Sequence, residues 1–295
     1  VIPKTFDQCR AVIDKATAWL KSQKGTKILI KQTCNLGDTL HITPIARHYK
    51  TKFPDCKIAF VTGHTYASVH KFNDDFDAIY EINAKASPQL RLDLGRYMMN
   101  IKDLDLVLCP SIHPFSSIWK THVWSVQVIA EQYFLNAKIK AGEMLGDRQL
   151  HVELADADIQ FAEKFVGDKR LVALEHCSYS SPPLWKPPQF VKLVHQLKEK
   201  GIECISFAAP HERLIRGAID GRGISWRRTV AILARCEYML GVGSGVTMLA
   251  AAARPRPTIM EIGISESITM KSCGYADSIP LNGKITPQDL AKKID

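Results

Sequence analysis

A short apolar run, Lys27-Ile28-Leu29-Ile30-Lys31, sets the strongest limit on the fold through the order of segments after it. A loop from Gln32 to Asp38 leads into an amphipathic stretch from Thr39 to Phe53. Pro54-Asp55 breaks that stretch, and a second apolar run, Lys57 to Val61, comes next. Runs this short suit strands buried on both faces better than helices. Strand, loop, helix, strand is a βαβ unit, whose strands are parallel and whose crossover is right-handed.

The same alternation continues along the chain. Ala78 to Ile82 and Leu104 to Cys109 read as further strands, Pro110 to Ser117 as a loop and Trp119 to Leu135 as a helix. Residues 136–150 lack a period, carry Gly142 and Gly146, and read as a linker. The pattern then restarts. Helices are expected over Asp158 to Val166, Phe190 to Lys200, Thr229 to Arg235, Val246 to Ala253 and Thr286 to Ile294. Strands are expected over Arg170 to Glu175, Ile202 to Phe207, Tyr238 to Val242 and Thr258 to Ile262. A helix over 5–23, with Phe6, Cys9, Val12, Ile13, Ala16, Trp19 and Leu20 on one face and Gly25 after it, precedes the first strand. A chain of 295 residues suits two cores better than one. The fold class is therefore α/β: two facing Rossmann-like doubly wound domains, 1–150 and 151–295, with a cleft between them.

Composition narrows the partners. The net charge of +9 favours anionic ones: nucleotide diphosphates, phosphorylated glycans, acidic headgroups or nucleic acid. The eight cysteines form no C-x-x-C pair, and several sit in apolar runs, which reads as buried free thiols in a reducing compartment. No apolar run approaches the roughly 20 residues of a membrane span, and the segment Val1-Ile2-Pro3-Lys4 has no signal-peptide character. A soluble, cytoplasmic protein is expected, whose basic face can still touch the inner membrane surface.

Three places carry candidate chemistry. In Asn35-Leu36-Gly37-Asp38-Thr39, Gly37 permits a tight turn or close ligand approach, and Asp38 stands near a helix N-terminus. Asp38 is read either as an N-cap or as a general base that takes a proton from an acceptor hydroxyl. In Gly241-Val242-Gly243-Ser244-Gly245-Val246-Thr247, a Gly-rich turn opens a helix. Its amides and the hydroxyls of Ser244 and Thr247 suit a diphosphate, or the turn is only a tight connection with no ligand. No lysine follows in the Walker A position. The loop from Cys177 to Lys186 offers Ser180, Ser181 and Lys186 to phosphate oxygens, or is only a proline-stiffened surface loop. Arg227-Arg228, Arg254 and Arg256 add positive charge, and His113, after a strand, is a candidate for acceptor binding with Asn35 and Gly37.

Taken together, these stretches resemble the heptosyltransferase family, inverting glycosyltransferases of two Rossmann-like domains. The resemblance runs from Lys27 over nearly the whole chain. It rests on Ile28-Leu29-Ile30 to Leu36-Gly37-Asp38-Thr39-Leu40, Thr43-Pro44 and Phe53-Pro54-Asp55, on Trp185 to Phe190, and on Leu233 to Tyr238 running into Gly243-Ser244-Gly245 and Leu249 to Ala252. It implies that the first domain takes the acceptor and the second the donor, with the last helix packing back on the first domain. It also implies that Asp38 is the base and that the turn at Ser244-Gly245 holds the donor diphosphate. The family usually has Asp where this chain has Gly243, His where it has Met248, and Lys just before Trp185, where this chain has Pro183-Leu184. Lys186 is the replacement on offer.

The resulting expectation is transfer, with inversion, of a sugar such as heptose from a nucleotide-diphosphate donor, ADP-linked in this family, to a hydroxyl acceptor. The acceptor is an anionic glycan, a protein side chain or a hydroxylated nucleic-acid base. No metal ion is expected, and no cofactor beyond the nucleotide-sugar itself. The competing expectations are a nucleotide-sugar epimerase or hydrolase and a sugar-nucleotide-binding module without catalysis.

Overall fold

A computed structural model of the chain describes residues 2–83, 88–110, 138–139, 143, 145, 147, 149–177, 184–262, 278–281 and 285–294. These fall into two compact α/β units, the first ending at Glu153 and the second beginning at Leu154. The helix expected over 119–135 lies outside the described residues, as does most of the linker.

The first unit opens with α1 (Phe6–Lys21). Thr5 caps it: the Thr5 hydroxyl accepts the Gln8 amide at 3.3 Å, and Gln8 Oε1 accepts the Thr5 amide at 3.3 Å. Cys9, Ile13, Ala16 and Leu20, spaced on one helical face, are fully buried. Burial of each large side chain of this kind is worth about 1.5–3 kcal/mol. They pack with Leu29, Ala59 and Val61 of the sheet and with Leu94 and Met98. Gly25 takes a φ of +83°, and a Cβ there would meet the Asp55 carbonyl oxygen at 2.3 Å. Glycine is therefore required at the entry to the sheet on both counts.

The sheet of this unit contains β1 (Lys27–Gln32), β2 (Lys57–Gly63), β3 (Ala78–Ile82) and β4 (Leu106–Leu108) in the order β3-β2-β1-β4, all parallel. Between β1 and β2 the chain forms two helices rather than the one expected, α2 (Leu36–Leu40) and α3 (Ile42–Lys52). Pro44 explains the break at His41. It has no N–H to give the Leu40 carbonyl and its ring crowds that group, which instead accepts the Thr43 hydroxyl at 2.8 Å. Two helices were not expected from the sequence, α4 (His64–Ala67) and α5 (Pro88–Met99).

The second unit opens with α6 (Asp156–Val166). Its sheet contains β5 (Arg170–Glu175), β6 (Ile202–Phe207), β7 (Ile219–Asp220), β8 (Tyr238–Gly241), β9 (Thr258–Glu261) and β10 (Ile279–Pro280), all parallel, in the order β10-β9-β8-β5-β6-β7. Numbered from β5, that is the Rossmann order 3-2-1-4-5-6. The helices are α7 (Pro187–Glu199), α8 (Trp226–Leu233), α9 (Gly245–Ala252) and α10 (Pro287–Lys293). Pro187 and Pro188 open α7, where a missing N–H costs nothing, so the helix starts earlier than its apolar pattern suggests. The core gathers Val172, Leu174, Trp185, Phe190, Leu193 and Leu240. Among the described residues, α10 packs on α7 of the same unit. Leu290, Ala291 and Ile294 join that core, and Lys200 Nζ donates to the carbonyls of Ala291 at 2.7 Å and Ile294 at 3.0 Å.

Candidate functional site

In a doubly wound sheet, ligands bind beyond the carboxyl ends of the strands, where the strand order reverses. In the first unit that point lies between β1 and β4. Gln32 ends β1, and its amide spans the gap by donating to the Pro110 carbonyl at 2.5 Å. Its Oε1 accepts the Cys34 amide at 2.9 Å and so shapes the chain just before α2.

Asp38 is buried in the first turn of α2, the third helical residue rather than the N-cap. The cap is Asn35, whose backbone amide Asp38 Oδ2 accepts at 3.0 Å. A carboxylate here is favoured by the helix dipole. Gly37 is helical and does not take a left-handed turn. Around this carboxylate stand groups that the sequence did not single out. His41 is buried, which pushes its pKa down to about 4 against the attraction of Asp38. The Tyr66 phenol is raised by burial and by the nearby Asp38 and Cys34. Arg91 Nη1 lies 3.8 Å from Cys34 Sγ. His41 is only three residues beyond Asp38, whereas Tyr66 and Arg91 come from α4 and α5, which show no strong period.

In the second unit the order reverses between β5 and β8. The turn after β8 is the glycine-rich one, and Glu175 ends β5. Gly243 takes a φ of +71°, so a β-carbon is disfavoured there. Ser244 is the N-cap of α9. Three of the turn residues expected to serve a diphosphate, Ser244, Val246 and Thr247, converge instead on the Glu175 carboxylate. Glu175 Oε1 accepts the Ser244 hydroxyl and, at 3.1 Å, the Val246 amide. Oε2 accepts the Thr247 amide at 3.3 Å and the Thr247 hydroxyl at 2.5 Å. Glu175 is 2% exposed. Burial raises its pKa, and the hydrogen bonds from Ser244, Thr247, Val246 and Val242 oppose that rise. An acidic residue at a strand end is a visible signal, but its pairing with Val246, 71 residues on, is not.

Lys186 is exposed and is the N-cap of α7, its amide held by Gln189 Oε1 at 2.9 Å. Among the described residues its side chain makes no hydrogen bond or ion pair. Ser180, Ser181 and His113, the other expected site residues, lie outside the described residues. Three of the extra cations are engaged within the second unit. Arg227 Nε pairs with Asp158 at 2.9 Å, Arg228 lies 4.4 Å over the Phe161 ring, and Arg254 donates to the carbonyls of Ala251 at 3.1 Å and Ala253 at 2.7 Å.

Among the described residues no group of three or more His, Cys, Asp or Glu is placed to hold a metal ion. The carboxylates of two Asp-x-Asp spacings are engaged elsewhere. Asp75 pairs with Arg47 at 3.2 Å, Asp77 with Lys50 at 2.6 Å and Asp103 with Lys21 at 3.1 Å. Asp105 accepts the Lys27 amide at 2.7 Å. A cavity of about 460 Å³ lined by Ile159, Ala162, Val166, Ala231, Arg235 and Arg254 lies near Lys169, at the opposite end of β5 from Glu175. It is no part of the strand-end sites. None of the described helices is long and apolar enough to cross a membrane.

No family model and no curated protein matches the chain by sequence. Solved structures do match its fold. A glycosyl transferase of family 9 from Veillonella parvula superimposes with a TM-score of 0.65 at 16% identity, over 91% of this chain and 91% of that one. The ADP-heptose lipopolysaccharide heptosyltransferase II of E. coli gives 0.63 at 11% identity, over 91% and 97%. The E. coli heptosyltransferase WaaC, solved with ADP-2-deoxy-2-fluoro heptose, gives 0.62 at 16% identity, over 91% and 99%. With its two parallel α/β sheets and these neighbours, the chain has a heptosyltransferase-like fold.

Proposed function

We propose that this chain is an inverting glycosyltransferase that moves a sugar from a nucleotide-diphosphate donor onto a hydroxyl acceptor. The observation that carries the reading is the placement of Asp38. It is a buried carboxylate in the first turn of the helix after β1, oriented by the Asn35 amide at 3.0 Å, in a chain whose structural neighbours are glycosyltransferases. In the reaction, Asp38 takes the proton of the acceptor hydroxyl as that oxygen attacks the anomeric carbon. The bond from this carbon to the diphosphate breaks, and the nucleotide diphosphate leaves with the electron pair. One displacement inverts the anomeric centre. The turn from Ser244 to Thr247, Lys186 and the hydroxyls of Ser180 and Ser181 serve the departing phosphates, and Asn35, Gly37 and His113 border the acceptor. Fold neighbours named for a donor are named for ADP-linked heptose, which makes an ADP-sugar the first donor to try. The chemistry needs no metal, because donor amides, hydroxyls and a lysine can carry the leaving charge.

The test is a thermal-shift panel of ADP-, UDP-, GDP- and dTDP-sugars, followed by product analysis with the donor that binds. A bound donor raises the melting temperature by mass action. Failure of every member to do so removes the donor and with it the reading.

One observation favours a second reading, a sugar-nucleotide-binding module without transfer. Glu175 already engages the donors of the turn. Gly243 and Met248 stand where the resembled family has Asp and His. A donor that binds but yields neither transfer nor hydrolysis would select this second reading.

A further inference from the structure

The strand-order reversal of the second sheet brings a carboxylate and an anion-binding turn together. A turn of backbone amides at a helix N-terminus, with two hydroxyls beside it, is built to receive negative charge. Here the charge comes from the protein itself. Glu175 Oε1 and Oε2 take up the Val246 amide at 3.1 Å, the Thr247 amide at 3.3 Å, the Thr247 hydroxyl at 2.5 Å and the Ser244 hydroxyl. We propose that Glu175 is a proton-gated occupant of this seat, and that the diphosphate of a nucleotide-sugar enters it only together with one proton taken up from solvent by the Glu175 carboxylate. The inference rests on the donor reading of the turn proposed above.

Charge and donor number both demand the proton. A diphosphate diester carries two negative charges and would draw on the same amides and hydroxyls. Two anions that share donors in a buried site cannot both stay ionised. Protonation resolves the conflict. The neutral carboxyl needs fewer donors, frees amides for phosphate oxygens, and gains an O–H that donates to one of them.

Among the described residues, the groups on the elements packed against Glu175 offer it no positive charge. The turn and α9 contain no ionisable side chain from Val242 to Ala252. In β8 the only ionisable group is Tyr238, at the far end of the strand. From β9 comes Glu261, buried and in register with Gly241, a second carboxylate at the same sheet edge. In β6, Phe207 is opposite Glu175, and Glu203 and Cys204 lie toward the start of the strand. After β5, His176 bonds to the Arg213 carbonyl at 2.8 Å and the Ser206 hydroxyl at 3.3 Å, and burial lowers its pKa. Cys177 has a pKa pushed up to about 12 by burial, Glu212 and Glu175. Among the described residues no Lys or Arg pairs with Glu175. The carboxyl group is already raised by burial, so the proton is taken up against a reduced opposing gradient.

The experiment is isothermal titration of the full chain with ADP-, UDP-, GDP- and dTDP-glucose in pairs of buffers with different ionisation enthalpies. These diesters take up no proton of their own near neutral pH. The expected result is uptake of about one proton per sugar-nucleotide bound, with Kd rising up to tenfold per pH unit on the alkaline side. In Glu175→Gln the uptake falls to about zero, and at pH 8 the variant binds at least tenfold more tightly than the wild type. The wild-type proton count stands without the variant, should the variant fold poorly. Binding with no proton uptake by the wild type would overturn the proposal and leave the donor reading intact, because the carboxylate would then have moved aside. Failure of all four compounds to bind either protein would overturn both.

Discussion

A methyl group on Gly241 would stand 2.2 Å from Thr247 Oγ1, the atom that hydrogen-bonds to Glu175 at 2.5 Å. The end of β8 therefore accepts no side chain while Thr247 holds its partner. Gly241→Ala is expected to break the Thr247–Glu175 contact and to destabilise the second unit by about 1–3 kcal/mol, the usual cost of overpacking. A urea denaturation midpoint equal to the wild type's would show that the turn shifts freely and that the contact is not a constraint.

Asp38→Asn keeps an oxygen able to accept the Asn35 amide but cannot take a proton at neutral pH. Turnover is expected to fall by a factor on the order of 10²–10⁴ with donor affinity unchanged. Steady-state kinetics with a bound donor, alongside titration of that donor, decide the matter. Turnover near wild type would leave Asp38 with its helix-capping role alone.

Gly245→Val places a branched side chain at the first residue of α9, beside the Val246 and Thr247 amides. Donor binding is expected to be lost while the thermal melt remains cooperative. An unchanged donor Kd by calorimetry would mean that the diphosphate sits somewhere other than this turn.

Burial lowers the pKa of four histidines, and His41 and His70 carry the largest shifts. His70 is enclosed by Phe60 and Phe76, with ring centroids at 5.1 and 5.6 Å, and neither ring nitrogen has a hydrogen-bond partner among the described residues. Burial lowers its pKa from 6.5 to about 3, and that of His41 to about 4. Above 6.5 neither the folded nor the unfolded chain protonates these rings, and their contribution to stability is complete. As the pH falls below 6.5, the unfolded chain binds protons that the folded one refuses, and stability drops until the folded pKa values are reached. Each ring costs about 1.4 kcal/mol per pH unit in that window. His70→Phe keeps a ring among the phenylalanines and removes its share of the slope. Urea midpoints between pH 7 and pH 5 that decline equally in variant and wild type would contradict this assignment.

The longer strands were legible because they are apolar and bounded by turns. Ala78–Ile82, Arg170–Glu175 and Ile202–Phe207 run between the residues their composition predicts. The two-residue β7 and β10 were not, since neither is long enough to show a pattern. The run from Thr39 to Phe53 reads as one helix because apolar spacing continues across His41; only the bonding geometry at Pro44 divides it. Asp38 was visible as an acid near a helix start, but its third-residue position and its bond to the Asn35 amide needed coordinates. Glu175 was missed for a different reason. Its function depends on strand order, and nothing local in Arg170–Glu175 says that β8 will lie beside it.

That strand order also sets the sequence in which the molecule can be assembled. In each sheet the pair that frames the order reversal joins distant segments of chain, Leu29 with Val107 and Ala173 with Met239. The neighbouring pairs, Leu29 with Ala59 and Val172 with Cys204, close shorter loops. Loop closure grows costlier with length, and non-local parallel pairing is slow. The order-reversal pairings, β1 with β4 and β5 with β8, are therefore completed after the rest of their sheets. On refolding, amide protection in β4 and β8 should lag behind that in β2 and β6, and the ability to bind a sugar-nucleotide should return with the later phase.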